Sequence, residues 1–231
     1  MEKTITKRKK KQNLEKRSAV LTAAIKIFAQ KGFTEATISE IAKDAGVSEA
    51  TIYDYFSSKE ELLFQIPSEI SVKHQEETVR LIEHVPDAAN KLKILVRRQL
   101  SLYVENEDYG TVLMLILNVN RNFLKTEMYQ EFRLVANKVM NVLEEGIQNG
   151  EFRADLDPYV IRAMLWGTLE NMVSRRSLIG EPKDPLILIE QVMDIIFKGI
   201  LAAQLEQTIN LNITLDSETL TRISMKDVRK A

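Results

Sequence analysis

Apolar residues recur at helical spacing along most of this chain of 231 residues. The first such pattern covers residues 15–31, where Val20, Ala24 and Phe28 share one helix face. Further patterns predict helices over residues 59–83 with a bend near Pro67, 87–106, 111–120, 126–149, 157–177 and 184–205. Glycine and proline are scarce, at 8 and 5 residues, which disfavours turn-rich β architectures. The pattern therefore predicts an all-α protein.

One short stretch, residues 37–62, combines several helix starts with a glycine turn. Thr37 and Glu40 have the spacing of a capping box, which satisfies free backbone donors at a helix start. Gly46 can take the left-handed conformation that ends a helix, and Ser48 is a favourable N-cap for the next one. The stretch therefore predicts two short helices joined by a tight turn.

This pair of helices has the pattern of a helix-turn-helix, whose second helix can enter the major groove of DNA. Ile52 and Phe56 are one turn apart and should point to the core, whereas Tyr53 should point outward. A second capping box, Ser58 with Glu61, should open the helix that follows. The alternative is an ordinary corner between two helices in an enzyme or another helical module.

The charge distribution adds a second indication of a polyanionic partner. The net charge is −1, yet the first 17 residues hold eight basic and two acidic side chains. Such a basic arm either contacts a polyanion or solubilises the chain. We expect residues 1–14, which lack apolar periodicity, to be a flexible arm.

Few features suggest catalysis, a cofactor or a metal. The chain has no cysteine, so disulfides and thiolate metal sites are excluded. His74 and His84 are ten residues apart, which places them on different faces of a helix and not at metal-ligand spacing. No glycine-rich phosphate loop or nucleophile motif is present. We expect a non-enzymatic protein without cofactor or metal, and, in the absence of a membrane-length apolar run, a cytoplasmic one without a membrane partner.

Residues 16–63 resemble the DNA-binding domain of TetR-family transcriptional regulators. The resemblance is carried by A-x-x-x-F-x-x-x-G-F, T-x-x-x-I-A, A-G-V-S, T-I-Y-x-Y-F and S-K-E-E-L, in this order. It implies that DNA bases and phosphates are contacted by Thr37, Ser39, Ser48, Glu49, Ala50, Thr51, Tyr53, Tyr55 and Lys59. Beyond residue 63 the resemblance is one of helix number, length and order.

The resemblance also implies the domain organisation. A basic arm (1–14) would precede a helix-turn-helix domain (15–63), a helical effector-binding and dimerisation domain (64–205) and a tail without an assigned role (206–231). The last two predicted helices would pack on those of a second copy as a four-helix bundle. The interface would draw on Met164, Trp166, Leu169, Val173, Ile189, Val192, Ile196 and Ile200, for each of which the alternative is the core of one protomer.

An effector pocket is expected among the helices between residues 91 and 142. Our candidates are Arg97, Arg98, Gln99, Tyr103, Met114, Leu117, Asn118, Phe123, Phe132 and Met140, together with Asn120 and Tyr129. Most large apolar residues at helical spacing belong to a core, so this set should include core residues. The segment RAMLWGTLENMV (162–173) is similar to the acyl-CoA-responsive subgroup of the family, which favours an acyl-CoA, a fatty acid or another small apolar effector.

The sequence thus predicts a ligand-released repressor that binds a double-stranded DNA operator as a homodimer. A helical binding or enzymatic module, and a DNA-binding protein without effector, are the alternatives. In the tail, Ile209, Leu211, Ile213 and Leu215 alternate with polar residues as in a strand, but no partner strand is predicted.

Overall fold

A computed structural model describes residues 2–202, except the side chains of residues 2–10, 72–73 and 131–136. The helices are α1 (Glu2–Glu35), α2 (Ile38–Ala45), α3 (Glu49–Tyr53), α4 (Lys59–Phe64), α5 (Ile66–Glu83), α6 (Ala88–Glu105), α7 (Glu107–Val112), α8 (Glu127–Gln148), α9 (Pro158–Ile179) and α10 (Pro185–Ile200). A π-helical turn, Leu113–Leu117, continues α7, and a 3₁₀ turn, Phe123–Lys125, precedes α8. Within the described residues the β structure is one antiparallel bridge between Phe152 and Leu201, which confirms the all-α prediction.

Helices α1 to α4 form a small head around one apolar centre. Phe28, Ile41, Ile52 and Phe56 are all buried there. Helix α1 is longer than predicted, because it begins at Glu2 and includes the residues for which we expected a flexible arm. Lysine, arginine and glutamate are good helix formers, and apolar periodicity is not needed for a helix to continue past its buried part. A helical backbone does not decide whether the arm is flexible, so that stays a prediction.

The α1 helix changes direction at Gly32, which has φ of 74° and ψ of 173°. The long helix predicted over residues 59–83 is two helices, α4 and α5, which meet at Gln65 next to Pro67. Proline lacks the N–H group that a continuous helix would use at this point. The break separates the head from the larger domain.

Helices α5 to α10 form the larger domain, and α1 packs against both α5 and α7. The ring of Phe64 in α4 lies 5.6 Å from that of Phe123. Asn122 Nδ2 donates to Glu60 Oε1 at 3.1 Å. These two contacts join α4 to the loop before α8, so the head and the larger domain meet at α4 as well as along α1.

The described part of the larger domain holds no helix long and apolar enough to cross a membrane. Residues 203–231, which contain the whole predicted tail and the end of the predicted 184–205 helix, lie outside the described residues. The last described helix ends at Ile200.

Candidate nucleic-acid interface and effector site

The α2–α3 corner has the local geometry that its sequence predicts. The Glu40 amide donates to Thr37 Oγ1 at 3.2 Å, and the Thr37 amide donates to Glu40 Oε2 at 3.1 Å. This is a complete capping box. The pKa of Glu40 is lowered, first by its hydrogen bond with Lys31 and then by the hydrogen bonds with Thr37 that form the capping box. At the other end of α2, Gly46 has φ of 67° and its amide donates to Lys43 O at 3.3 Å.

Helix α3 begins at a capped serine. The Thr51 amide donates to Ser48 Oγ at 3.1 Å, and the two hydroxyl oxygens are 2.9 Å apart. Ile52 is fully buried and Phe56 nearly so, as predicted. This buried pair fixes α3 on the head, so its opposite face must point to solvent.

Most of the predicted DNA contacts are solvent-exposed, on α3 and at the start of α2. Six of them are exposed: Thr37, Ser39, Ser48, Glu49, Ala50 and Tyr53. Thr51 and Tyr55 are half-buried, and the Tyr55 ring packs 6.2 Å from that of Phe56. The corner therefore presents hydroxyls, one carboxylate and one phenol on a short, rigid helix.

Lys59 does not lie as a phosphate contact would require. Its Nζ donates to Phe33 O at 2.7 Å, Ala36 O at 2.8 Å and Thr34 O at 3.4 Å. It also lies 4.6 Å from the centre of the Phe33 ring. An ammonium group has three donors, and here all three are directed at carbonyl groups at the end of α1. In this arrangement Lys59 joins α4 to α1, and its contact with phosphate stays a prediction.

The neighbouring basic residues are partly neutralised. Lys26 Nζ is 2.5 Å from Asp44 Oδ1, and Lys31 pairs with Glu40. Lys43 is exposed in the last turn of α2, next to the corner. Its position, rather than that of Lys59, suits a solvent-facing contact with phosphate. Lys59 was predicted from its place in the family motif. That place does not show which backbone carbonyls its side chain meets in the fold, and these lie more than 20 residues away in the sequence.

The second predicted capping box is only half formed. Ser58 Oγ accepts from the Glu61 amide at 3.0 Å, as predicted. The Glu61 carboxylate, however, accepts from the amide of Ser57 at 2.7 Å and not from that of Ser58. Hydrogen bonds from Ser57 lower the pKa of Glu61. The Glu61 carboxylate thus binds the turn between α3 and α4 at Ser57, one residue before the Ser58 amide that the capping box predicts.

The candidate effector residues divide into interior and surface groups. Gln99, Tyr103, Met114, Leu117 and Phe123 are buried, whereas Asn118, Tyr129 and Met140 are half-buried. Asn120 Oδ1 accepts from the amides of Asn122 and Phe123, so it closes a turn. Arg97 is exposed and pairs with Glu190 at 2.9 Å. The side chain of Phe132 lies outside the described residues.

Arg98 points instead into a polar cluster between α5 and α6. Its Nε donates to Thr78 Oγ1 at 3.3 Å, and its Nη2 lies 3.4 Å from His74 Nδ1 and 3.3 Å from Glu77 Oε2. Burial, and then the charge of Arg98, lower the pKa of His74. A neutral His74 that accepts at Nδ1 carries its proton on Nε2. That nitrogen is buried, and it has no hydrogen-bond partner among the described residues.

Two buried tyrosines extend this polar interior. Gln99 Nε2 donates to the Tyr103 hydroxyl at 2.5 Å, and Ser71 shares a hydrogen bond with the Tyr109 hydroxyl. Burial raises the pKa of both tyrosines, so they stay protonated. A cavity of about 10 Å³, lined by His74, Thr78 and Gln99 among others, lies beside them. Ser71, Thr78 and Tyr109 were not predicted from the sequence; polar residues on the apolar face of a predicted helix are the signal that could have found them.

The predicted dimer residues mostly belong to the protomer core. Leu169, Val173, Ile189, Ile196 and Ile200 are buried within the chain, which favours for these five the alternative of a protomer core. Met164 is 51% exposed, and Trp166 and Val192 are half-buried. Both faces of α9 and α10 are apolar, and the sequence alone does not indicate which face turns inward.

A different apolar stripe on these helices faces solvent. It contains Val160, Met164 and Leu178 of α9, and Ile187, Leu188 and Ile195 of α10. Gly167 and Gly199 lie on the same helices, and a Cβ atom at either would meet nothing within 4 Å. Two helical glycines that meet no neighbour among the described residues leave room for the close approach of another helix.

Comparisons with known proteins agree on both parts of the chain. Residues 20–66 match the family described as "Bacterial regulatory proteins, tetR family", and residues 71–210 match that described as "YsiA-like protein, C-terminal region". The "Fatty acid metabolism regulator protein" of Bacillus subtilis is 28% identical over 190 residues, which are 82% of this chain and 98% of that protein.

Two solved structures share the fold. The fatty acid degradation regulator FadR of Bacillus halodurans superimposes with a TM-score of 0.70 at 27% identity, covering 79% of this chain and 94% of that one. The transcriptional regulator FadR of Bacillus subtilis, solved in complex with stearoyl-CoA, gives 0.69 at 28% identity, with 79% and 98% covered.

Proposed function

Because the chain belongs to the TetR family of bacterial regulatory proteins, it is a DNA-binding transcriptional regulator, and we propose that it is a ligand-released repressor. The observation that carries this proposal is the outward face of α3. Ser48, Glu49 and Tyr53 are exposed on a helix whose buried side is fixed by Ile52. A short helix held in this way can enter the major groove of DNA as a rigid unit.

The groups on this face have separate tasks in the proposed complex. Glu49 accepts a hydrogen bond from cytosine N4, the base-edge donor that suits a carboxylate. Tyr53 and Thr37 donate to backbone phosphates, which position the head without reading sequence. The Thr51 hydroxyl is occupied by Ser48, so Thr51 offers its methyl group to thymine. Lys43 supplies the salt-dependent attraction that we had assigned to Lys59.

A second copy of the chain covers the exposed stripe of α9 and α10. In this homodimer Met164, Leu188 and Ile195 lose their contact with water, and Gly167 and Gly199 allow the helix backbones to approach. A two-fold dimer presents two copies of α3, as a palindromic operator requires. The two heads then read half-sites separated by about 34–36 Å, one turn of the duplex or a multiple of it.

The effector we propose is a long-chain acyl-CoA, the class of ligand present in the solved FadR structure of Bacillus subtilis. Its acyl chain enters the apolar interior between α5, α6 and α8. There the Nε2–H of His74 donates to the thioester carbonyl, which supplies an acceptor that this buried donor does not find among the residues 2–202 whose side chains are described.

Binding in this interior requires the helices to move. The cavity beside His74 is about 10 Å³, whereas ligand pockets usually measure about 300–1,000 Å³. An acyl chain therefore separates α5 from α6 and α8. Since α4 and α5 meet at Gln65, and Lys59 joins α4 to α1, the displacement is passed to the head and changes the distance between the two α3 helices.

DNA recognition is tested with Tyr53→Ala and a duplex from upstream of the chain's own gene. Loss of one phosphate or base contact should weaken specific binding by about 1–3 kcal/mol, or roughly 5- to 150-fold, in fluorescence anisotropy at fixed salt. Tyr159→Ala is the matched control, because Tyr159 is 60% exposed in α9 and Tyr53 is 53% exposed in α3. Equal affinities for the two variants would contradict the proposed role of α3.

The effector is tested with a series of acyl-CoAs of increasing chain length. A long-chain acyl-CoA at 100 times its Kd should stabilise the fold by about 2.7 kcal/mol and release the DNA. Coenzyme A alone is the control and should do neither. If no acyl-CoA and no free fatty acid changed DNA binding, the proposed effector class would be contradicted.

A further inference from the structure

The outward side of α3 lacks the side chains that most often read purines. Residues 44–58, which include α3, contain no lysine, arginine, histidine, asparagine or glutamine. Guanine is read most often by lysine or arginine, and adenine by asparagine or glutamine. The cation just before this run, Lys43, is exposed on α2 and not on α3. The helix that we place in the major groove therefore reads bases by other means.

Three hydroxyl groups of this run are already bonded within the chain. The hydroxyl oxygens of Ser48 and Thr51 are 2.9 Å apart, and Ser48 Oγ also accepts from the Thr51 amide at 3.1 Å. The Ser57 hydroxyl donates to Glu61 Oε2. The exposed phenol of Tyr53 is the group to which we assign a phosphate contact. Few hydrogen-bond donors on α3 are thus left for the edges of bases.

The centre of the outward face of α3 is a methyl group. At about 100° per residue, Ala50 lies roughly 160° around the helix from Ile52, which is fully buried. Ala50 is exposed, and the exposed carboxylates of Glu49 and Asp54 lie on either side of it along the helix. A carboxylate accepts hydrogen bonds and donates none when it is ionised. The face therefore combines an apolar centre with acceptors around it.

The bases differ in how well their major-groove edges match such a face. Guanine presents two acceptors, N7 and O6, which find no donor in a carboxylate. Cytosine presents the N4 donor, and thymine presents its C5-methyl group, which makes apolar contacts with alanine side chains. The face of α3 is therefore complementary to pyrimidines, and its central methyl group is complementary to thymine.

We propose that the Ala50 methyl group packs on the C5-methyl group of a thymine in each half-site, so that the operator is recognised by its thymines and not by its guanines. This inference rests on the proposed repressor function and adds the class of DNA sequence that the repressor binds. It places a thymine contact at the centre of the face, in addition to the one proposed for Thr51. The small Ala50 side chain lets α3 lie close to the base edges.

Changes of single groups in the DNA test this proposal with the full-length chain. A duplex from upstream of the chain's own gene is made with deoxyuridine in place of thymidine, which removes the C5-methyl groups alone. Burial of one methyl group is worth about fourfold in affinity, so a dimer with two half-sites should bind this duplex at least roughly 16-fold more weakly. A duplex with 7-deazaguanine, which lacks the N7 acceptor, should bind within about twofold of the natural one.

Ala50→Gly connects the effect with this residue. The variant removes the methyl group of the protein, so the ratio of its affinities for the thymine and deoxyuridine duplexes should be roughly 16-fold smaller than that of wild type. Ala163→Gly is the matched control, because Ala163 is exposed on α9, and its ratio should equal that of wild type. Ratios are compared because a loss of stability or dimerisation weakens binding to both duplexes alike.

Replacement of one thymine at a time tests the proposal with wild type alone, without any variant. The loss should be confined to the same position in both half-sites. A wild-type ratio near one, or an equal ratio in Ala50→Gly, would overturn the thymine contact and leave the repressor proposal intact. A larger loss with 7-deazaguanine than with deoxyuridine would also overturn it. Binding of the natural duplex no tighter than that of random DNA would instead contradict the repressor proposal and this inference with it.

Discussion

At the scale of single residues, the partners of Lys59 and His74 decide what these side chains do. The Lys59 ammonium donates to carbonyls of Phe33, Thr34 and Ala36. His74 accepts from Arg98, and its second nitrogen is buried without a partner in the described part of the chain. Replacing Lys59 should therefore change the free energy of unfolding, and replacing His74 should change how that free energy depends on pH.

Lys59→Met should lower the free energy of unfolding by about 1–3 kcal/mol, because it leaves carbonyls at the end of α1 without their donor. If Lys59 contacted a phosphate instead, its loss would reduce the magnitude of the slope of log K for DNA binding against log salt concentration by about 0.9. Urea unfolding and a salt titration of DNA binding separate the two. Lys43→Met is the control and should change the slope but not the stability. The reverse pattern would restore Lys59 as a phosphate contact.

Stability should fall as the pH is lowered from about 7.5 to about 5.5, the range in which histidines titrate. Since burial lowers the pKa of His74 below 6.5, the unfolded chain binds more protons there, and stability rises with pH. His74→Asn should flatten this dependence in chemical denaturation series. His84→Asn, at the exposed histidine, should leave it unchanged. If His84→Asn, and not His74→Asn, flattened the dependence of stability on pH, the assignment of that dependence to His74 would be contradicted.

Local interactions were predictable at this scale, and distant ones were not. The Thr37–Glu40 capping box and the left-handed Gly46 follow from residues within a few positions of each other. The partners of Lys59 lie 23 to 26 residues away, and those of Arg98 lie 20 to 24 residues away. Spacing along a sequence does not specify such contacts before the fold is known.

At the scale of secondary-structure elements, the direction of α3 depends on the turn that precedes it. Gly46 has a positive φ, so its replacement strains the backbone even though a Cβ atom there meets nothing within 4 Å. The turn thus controls where the exposed face of α3 points.

Gly46→Val should destabilise the head by about 1–2 kcal/mol and weaken DNA binding, because a β-branched residue is unfavourable in the left-handed region. Gly46→Asn should keep most of the stability of the head and most of the DNA affinity, since asparagine tolerates the left-handed conformation. Thermal unfolding and anisotropy measure the two effects. Equal loss in the two variants would indicate a steric cause rather than a conformational one.

The element boundaries show what a helical pattern can determine. Asp–Pro starts located α9 and α10 correctly, because the Asp157 and Asp184 side chains accept from the first amides of each helix. The pattern did not separate the inward face of α9 from its outward face, since Leu169 and Met164 are equally apolar. Only packing against the rest of the chain distinguishes a core face from an interface.

At the scale of the whole molecule, the proposed homodimer must hold its two heads at a fixed distance, and the stripe on α9 and α10 is the surface proposed to hold them. Ile195 is 69% exposed on that stripe, and its neighbour Ile196 is 6% exposed. These adjacent residues allow dimerisation to be separated from folding.

Ile195→Asp should give a folded monomer with unchanged helical circular dichroism and at least tenfold weaker operator binding, since one head loses its partner. Ile196→Asp should unfold the larger domain, because it buries an unpaired charge. Light scattering after gel filtration reports the mass of each species. A dimeric Ile195→Asp variant would place the interface elsewhere.

The most direct measurement is selection of bound sequences from a library of random duplexes by the purified full-length chain. A symmetric pair of α3 helices should enrich a palindrome whose half-sites are centred about 10 base pairs apart, or a multiple of that distance. The same selection with Glu49→Gln and Tyr53→Ala should lose preference within the half-sites. Enrichment of no motif, or of an identical motif by wild type and variant, would contradict the proposal that α3 reads the operator.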